Sequence, residues 1–140
     1  MTPISEISWS RALLVWLLII VLETIHGILR GLFLTPAVGD FRARQVGVFI
    51  GSGLILGVSC LTIRWMTAGA RAPRGVLLRT GIVWTVLTLA FEFSLGTALG
   101  LTWSRMLSDY DLPHGGLMPL GILILVLAPW IAAKSRGIAD

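Results

Sequence analysis

Four long apolar stretches, separated by short polar segments, dominate the pattern along the chain. They cover approximately residues 9–34, 44–66, 76–99 and 116–133. A helix needs about 20 mostly apolar residues to cross the hydrocarbon core of a bilayer, so each stretch is long enough to span a membrane. The pattern therefore predicts four membrane-spanning helices.

The segments between these stretches predict the connections. Pro36 and Gly39 indicate a tight turn over residues 35–43, and segment 67–75 is rich in Ala, Gly and Arg, which is typical of a basic linker. Segment 100–115 is longer, and its apolar residues fall at helical spacing, which predicts a short helix on the membrane interface. We predict an all-α fold: an integral membrane four-helix bundle that forms a single domain over residues 1–140.

Composition excludes a soluble domain. Hydrophobic residues make up 56% of the chain and charged residues 13%, against about 25% charged residues in a typical soluble domain. The formal net charge of +4 therefore indicates basic residues at membrane boundaries and no nucleic-acid partner. The single cysteine, Cys60, forms neither an intrachain disulfide nor a thiolate metal site alone.

The basic residues are distributed unequally between the two ends of the predicted helices. Seven flank the side that carries both termini, and four flank the other side. Basic residues accumulate on the cytoplasmic side of membrane proteins, so both termini are expected in the cytoplasm. The preference for Arg over Lys favours a bacterial source, hence a multi-pass protein of the bacterial cytoplasmic (inner) membrane. The seven are Arg11, Arg64, Arg71, Arg74, Arg79, Lys134 and Arg136; the four are Arg30, Arg42, Arg44 and Arg105.

Small residues at four-residue spacing indicate where helices approach one another closely. The second stretch contains Gly47-x-x-x-Gly51 and Gly53-x-x-x-Gly57. Two interpretations stay open, because such motifs serve both purposes. The glycines either pack the helices within one bundle or form a homodimer through the second helix.

Ionisable residues within the apolar stretches are the candidate functional residues, because a charge at the bilayer centre costs about 2.5–3.5 kcal/mol on insertion scales. Glu23, His26 and Arg30 fall within about 60° of one face of the first helix. Glu92 shares a face of the third helix with Thr and Gly, which predicts that this face packs against the first helix. The predicted outer-half polar cluster comprises Glu23, His26, Arg30, Gln45 and Glu92, with Arg44 at its rim.

This cluster has a structural and a functional interpretation. In the first, Glu92 pairs with Arg30 and Glu23 with His26, and the pairs maintain the register of the helices. In the second, the cluster binds a proton, an ion or a small polar solute from the outer side. We expect a non-enzymatic accessory or small-solute/ion-handling component, in which the uncharged fourth helix serves mainly for lipid contact and packing.

The alternative is a membrane enzyme or a metal- or haem-binding protein that uses Glu23, His26 and Glu92. Glu23-x-x-His26 has the spacing found in di-iron helical bundles, but these need a second such motif and further carboxylates. A haem would need His114 as the second axial ligand. Since no nucleotide-binding, serine-hydrolase or zinc-protease motif is present, we expect no catalytic residue, no metal and no cofactor.

Four segments carry a resemblance to known sequences: ETIHGILRG, FRARQVGVFIGS, WTVLTLAFEFSLG and YDLPHGGLMPLG. Together they resemble an uncharacterised family of small four-helix bacterial membrane proteins. The resemblance covers most of the chain. It implies the four-helix topology and no activity, so it assigns no site residue.

Overall fold

A computed structural model describes residues 7–139, and all regular structure in that range is helical apart from one isolated bridge between Ala72 and Ala139. Residues 1–6 and 140, which the single-domain prediction includes, lie outside the described range. A wide π-helical turn, Arg30–Leu34, connects the first two helices, and a 3-10 turn, Leu112–His114, precedes the last. The helices are α1 (Trp9–Leu29), α2 (Thr35–Val38), α3 (Asp40–Met66), α4 (Arg74–Ala98), α5 (Trp103–Ser108) and α6 (Met118–Ser135).

Four helical segments within residues 7–139 are long and apolar enough to cross a membrane, with mean hydropathies from 1.6 to 2.3. They are Trp9–Val38, Asp40–Met66, Arg74–Ala98 and Met118–Ser135. The predictions of an all-α chain and of four candidate membrane spans are therefore confirmed. The short helix predicted within segment 100–115 is present as α5, while its position on a membrane interface stays a prediction.

The predicted turn over residues 35–43 is wrong, because helix occupies all of that segment except Gly39. Gly39 reverses the chain alone with φ +90°, a conformation that glycine adopts without steric cost. Pro36 lies at the start of α2, where its missing N–H is tolerated. Asp40 then begins α3 four residues before the predicted stretch, because its carboxylate complements the positive end of the helix dipole.

The last helix is central to the packing of the four spans. α6 packs against both α3 and α4, and α1 packs against α3, whereas α1 and α4 contact each other only sparsely. This agrees with the packing expected of the fourth helix, while Leu120 and Leu123 on the same helix are exposed, as the expected lipid contact requires. Its one charged residue is Lys134 in the last turn, and its buried face includes Leu125, Ala128 and Ala132.

The hydrophobic core lies in one half of the molecule, which we call the closed half, where Ile7, segment 67–73 and Ile138 meet. The Ser8 amide donates to the Met66 carbonyl at 3.1 Å, and the Ala72 amide donates to the Ile138 carbonyl at 2.9 Å. These bonds join both terminal segments to the loop between α3 and α4. We call the opposite half, with α2, α5 and segment 109–117, the open half. The core residues include Ile7, Ala12, Val15, Ile19, Ile63, Met66, Leu77, Trp84, Leu125, Ala132 and Ile138.

The outward surface of the spans is strongly apolar. Leu14, Val21 and Phe33 on α1 and the following turn, Leu61 on α3 and Val86 on α4 are all exposed. In water such a surface would favour aggregation. In a bilayer these side chains face lipid, which agrees with the length and hydropathy of the helices.

Backbone contact between α4 and α6 depends on Gly81. This glycine is buried, and a Cβ atom at its position would overlap the carbonyl oxygen of Val126. Helices in lipid associate through such close backbone approaches, because no hydrophobic force drives them together. Gly81 therefore sets the distance between these two helices.

We expect Gly81→Ala to push α4 away from α6 and to destabilise the protein by about 1–3 kcal/mol, the usual range for overpacking. The matched control is Gly53→Ala, because Gly53 lies exposed within α3 with no atom within 4 Å of a Cβ. That change should leave stability unchanged or raise it slightly, since Ala favours helix by about 1 kcal/mol over Gly. Unfolding in mixed micelles measures both, and equal effects would contradict the role given to Gly81.

Candidate functional site

Two adjoining cavities occupy the open half. The deep cavity, of about 430 Å³, lies between α1, α3, α4 and α6. The surface cavity, of about 250 Å³, lies between α3, α4, α5 and segment 109–117. Arg30 and Glu92 line both cavities, so these two residues lie where the cavities meet.

The structure brings the predicted cluster residues to these cavities. Glu23 and His26 line the deep cavity, and Gln45 lines the surface cavity, as does the rim residue Arg44. The Nδ1 atom of His26 lies 3.5 Å from Oε2 of Glu23, so the predicted pairing of these two residues is present.

Glycines of α3 make room for the charged side chains of α1. A Cβ on Gly51 would lie 2.8 Å from Oε2 of Glu23, and a Cβ on Gly47 would lie 3.0 Å from Cδ of Arg30. The Gly47-x-x-x-Gly51 motif therefore packs α1 against α3 within one chain.

The second glycine motif of α3 points elsewhere. Gly53 and Gly57 are exposed, with no atom within 4 Å of a Cβ at either position. The homodimer predicted through Gly47, Gly51, Gly53 and Gly57 stays a prediction, and the exposed pair Gly53 and Gly57 is the part of that surface accessible to a second copy.

Two polar atoms of the cluster are buried without a hydrogen-bond partner among residues 7–139. They are Oε1 of Glu23 and Nε2 of His26. Buried polar atoms are nearly always hydrogen-bonded in folded proteins. Each of these atoms retains an unused hydrogen-bonding position beside the deep cavity.

The predicted direct ion pair between Arg30 and Glu92 is absent, although the two charges interact electrostatically at longer range. Across the described part of the chain, neither residue forms an ion pair within 4.0 Å. The physical reason is that α1 and α4 separate in the open half, and the Arg30 side chain lies against Gly47 of α3 instead. Glu92 interacts with the hydroxyl of Tyr110, which follows α5.

Arg44 lies within an ion-pair network, so it does more than border the cluster. Its side chain is only 14% exposed, and its Nη1 atom bonds Asp109 Oδ1 and lies 3.3 Å from Ser108 Oγ. Its Nε atom lies 3.1 Å from Asp40 Oδ2, an electrostatic contact whose N–H does not point at the oxygen. Arg105 adds a bond of 3.3 Å to Asp109 Oδ2. The network attaches α5 and the segment after it to α3.

Asp109 is the member of this network that sequence reasoning missed. In the sequence it resembles a solvated turn residue, beside Asp111. The signal that identifies it is its position four residues after Arg105, a spacing at which opposite charges meet on a helix. Its long-range partner, Arg44, has no such sequence signal.

Gln45 attaches the turn before α6 to α3. Its Nε2 atom donates to the carbonyl oxygen of Gly115 at 2.9 Å. Gly115 has φ +90°, and on Gly116 a Cβ would clash with the carbonyl oxygens of Ser108 and Asp109. Only glycine fits this close approach, which explains why α6 begins at Met118 and not at residue 116.

The geometry does not favour the metal and haem alternatives. Among residues 7–139, no three His, Cys, Asp or Glu side chains converge on a point that suits a metal ion, so Glu23, His26 and Glu92 do not form a ligand set. His114 is 83% exposed and its Nδ1 atom lies 2.8 Å from Asp111 Oδ2. It therefore lies on the surface of the open half and does not oppose His26 across a cavity.

Comparison of the chain with family models, with curated proteins and with solved structures gives no match. The resemblance to small four-helix membrane proteins stays an expectation, and the interpretation of the site rests on its geometry.

We expect Asp109→Asn to loosen the open half. The change removes a charged partner from Arg44 and from Arg105, and the largely buried Arg44 then keeps only its contacts with Asp40 and the Ser108 hydroxyl. The loss should exceed the ~0.2–1 kcal/mol of an exposed ion pair and stay below the ~3–5 kcal/mol of a fully buried one. The control is Asp111→Asn, since Asp111 pairs only with the exposed His114. Equal unfolding free energies for the two variants would contradict the network.

Tyr110 provides a spectroscopic test of the open half, because it is the only tyrosine in the chain. Burial raises the pKa of Tyr110 above the ordinary value of 10.0, and the carboxylates of Glu92 and Asp109 raise it further. A phenol with a raised pKa stabilises the fold fully below about pH 10, and this contribution is lost as pH rises through the raised pKa.

Ultraviolet absorbance of tyrosinate should therefore show Tyr110 ionising above pH 10 in the folded protein. Glu92→Gln should lower the pKa of Tyr110 only in part, because burial is the larger cause. Titration with an ordinary pKa in the parent protein would show that the Tyr110 hydroxyl is accessible to solvent and not close to Glu92.

Proposed function

We propose that the protein is a non-enzymatic small-solute/ion-handling component of a bacterial cytoplasmic (inner) membrane, with the two joined cavities as its solute site. Both termini lie in the cytoplasm, and the open half faces the outer side. The observation that carries this proposal is that Arg30 and Glu92 border both cavities. They connect a surface opening to the Glu23–His26 pair deeper in the protein.

The cavities have the character of ligand sites. Binding pockets for small molecules are mostly apolar, hold a few converging polar groups and measure about 300–1,000 Å³. The deep cavity has a volume of about 430 Å³, apolar residues from all four spans, and Glu23, His26, Arg30 and Glu92 as its ionisable residues. Ionisable groups at membrane depth usually mark solute or proton pathways, which supports handling of a small polar solute or ion.

The orientation is supported by the side chains of the closed half. The guanidinium carbon of Arg11 lies 5.2 Å from the centre of the Trp65 ring. Arg74 and Lys134 lie 5.3 and 5.0 Å from that of Trp130. Tryptophan is typical of a membrane interface on either side, and an excess of basic residues is typical of the cytoplasmic side.

Water access to the deep cavity tests this proposal. In a Cys60→Ser background, Ser52→Cys places a thiol on the lining of the deep cavity, while Ile50→Cys places one on the exposed apolar face of the same helix. A charged, membrane-impermeant thiol reagent added to intact cells should modify Cys at 52 and not at 50, because the reagent enters through the surface cavity and is excluded from lipid.

Two further thiols control for orientation. Leu112→Cys, exposed in the open half, should react from outside. Ala68→Cys, exposed in the loop of the closed half, should react only after the cells are opened. Reaction at 68 from outside would reverse the proposed orientation. Protection of 52 while 112 reacts would exclude a solute site that communicates with the outer side.

A further inference from the structure

The deep cavity lies where α1 and α4 separate. In the closed half these helices are joined by two bonds, from Trp84 Nε1 to the Ala12 carbonyl at 3.0 Å and from Trp16 Nε1 to Thr88 Oγ1 at 3.0 Å. Beyond Thr88 no hydrogen bond joins them in the described part of the chain, and the cavity is bordered by Ile28 on α1 and Leu95 on α4. Both border residues are exposed.

The walls of the two cavities differ in polarity along this path. Ile19, Ile55, Leu89 and Leu125 contribute to a largely apolar deep cavity, whereas Arg44, Gln45 and Tyr110 line the surface cavity. Arg30 lies at the junction. A molecule that fills both cavities therefore needs an apolar part on the lipid side and a polar part on the side of the open half.

The charge of Arg30, where the two cavities meet, determines which polar group of a ligand can bind there. Arg30 has no ion-pair partner within 4.0 Å among residues 7–139, whereas Arg44 and Arg105 are both paired with aspartates. Glu92 interacts with the Tyr110 hydroxyl. Arg30 interacts with Glu23 and Glu92 only electrostatically and beyond ion-pair distance, so its guanidinium keeps donors for an incoming carboxylate or phosphate, to which Arg binds in a bidentate manner.

We propose that the solute is a single-chain amphiphile with an anionic head group, which enters from the bilayer between α1 and α4. Its chain occupies the deep cavity and its head group binds Arg30. The volume of about 430 Å³ lies near the lower end of the ~300–1,000 Å³ of small-molecule sites, which suits one chain and not a two-chain phospholipid. This inference rests on the proposed function and adds the class of solute and its route of entry.

Photolabelling with a long-chain fatty acid that carries a mid-chain diazirine tests the proposal. The purified full-length protein in nanodiscs is irradiated, and the labelled residues are mapped by mass spectrometry. We expect saturable labelling on residues that line the deep cavity, competed by the unlabelled fatty acid. The methyl ester of the same probe should label these residues at least ten-fold less, because it lacks the anionic head group.

Variants at Arg30 and at Ile28 distinguish specific binding of the probe from its general contact with the protein surface. Arg30→Gln should reduce labelling of the deep cavity about ten-fold, and Arg30→Lys should retain part of it. The control Arg42→Gln, an exposed charge on α3, should have no effect. Ile28→Trp should obstruct the lateral opening, whereas Ile25→Trp, on the same helix and also exposed, should not.

The outcomes distinguish this inference from the proposed function. Labelling spread over the outward faces of the spans, or unchanged by Arg30→Gln, would show only surrounding lipid and would overturn the inference. If Arg30→Gln prevents folding, the labelling of Arg30→Lys and of Ile28→Trp tests the inference in its place: unchanged labelling in both would overturn it. If Cys at 52 still reacts with the aqueous reagent while photolabelling fails, the solute site remains and its proposed ligand is wrong. If both fail, both proposals are wrong.

Discussion

Two tryptophan indoles hold α1 against α4, and they do so only in the closed half. Trp84 donates to the backbone of Ala12, and Trp16 donates to Thr88. An indole N–H buried in an apolar setting needs an acceptor, so these bonds determine where the two helices meet. Beyond them the helices separate, and the space between them is the deep cavity. The sealed core and the open site therefore follow from the same pair of contacts.

The second requirement is space for charged side chains next to α3. Glu23 and Arg30 are bulky and polar, yet they lie against the backbone at Gly51 and Gly47. A charge facing lipid at this depth would cost about 2.5–3.5 kcal/mol. Gly47 and Gly51 have no side chains, so the polar face of α1 can pack against α3 and is not displaced into lipid. One small-residue motif thus supports both helix association and the placement of the cluster.

Much of this architecture can be predicted from the sequence, because the hydrophobic pattern identifies each span and the polar face within it. Glu23, His26, Arg30 and Glu92 were all placed at one site in this way. The order of the helices could not be predicted, since any small or apolar face can pack against any other in lipid. For this reason the sequence did not identify α3 and α4 as the neighbours of α6, and it paired Arg30 with Glu92. Asp109 was missed because its partner lies 65 positions away in the sequence.

The charges of the surface network and those of the deep cluster are paired to different extents. In the surface network Arg44 and Arg105 each lie within ion-pair distance of Asp109 and Asp40, although Arg44 Nε has no hydrogen-bond partner in the described chain. In the deep cluster Arg30 lacks an ion pair, and Glu23 and His26 each retain a buried atom without a partner in the described chain. What distinguishes the two groups is the direct ion pairing of their arginines, because Arg44 and Arg105 are paired with aspartates and Arg30 is not. The surface network therefore attaches the open half through paired charges, whereas the unpaired guanidinium of Arg30 supports the ligand site proposed for the deep cluster.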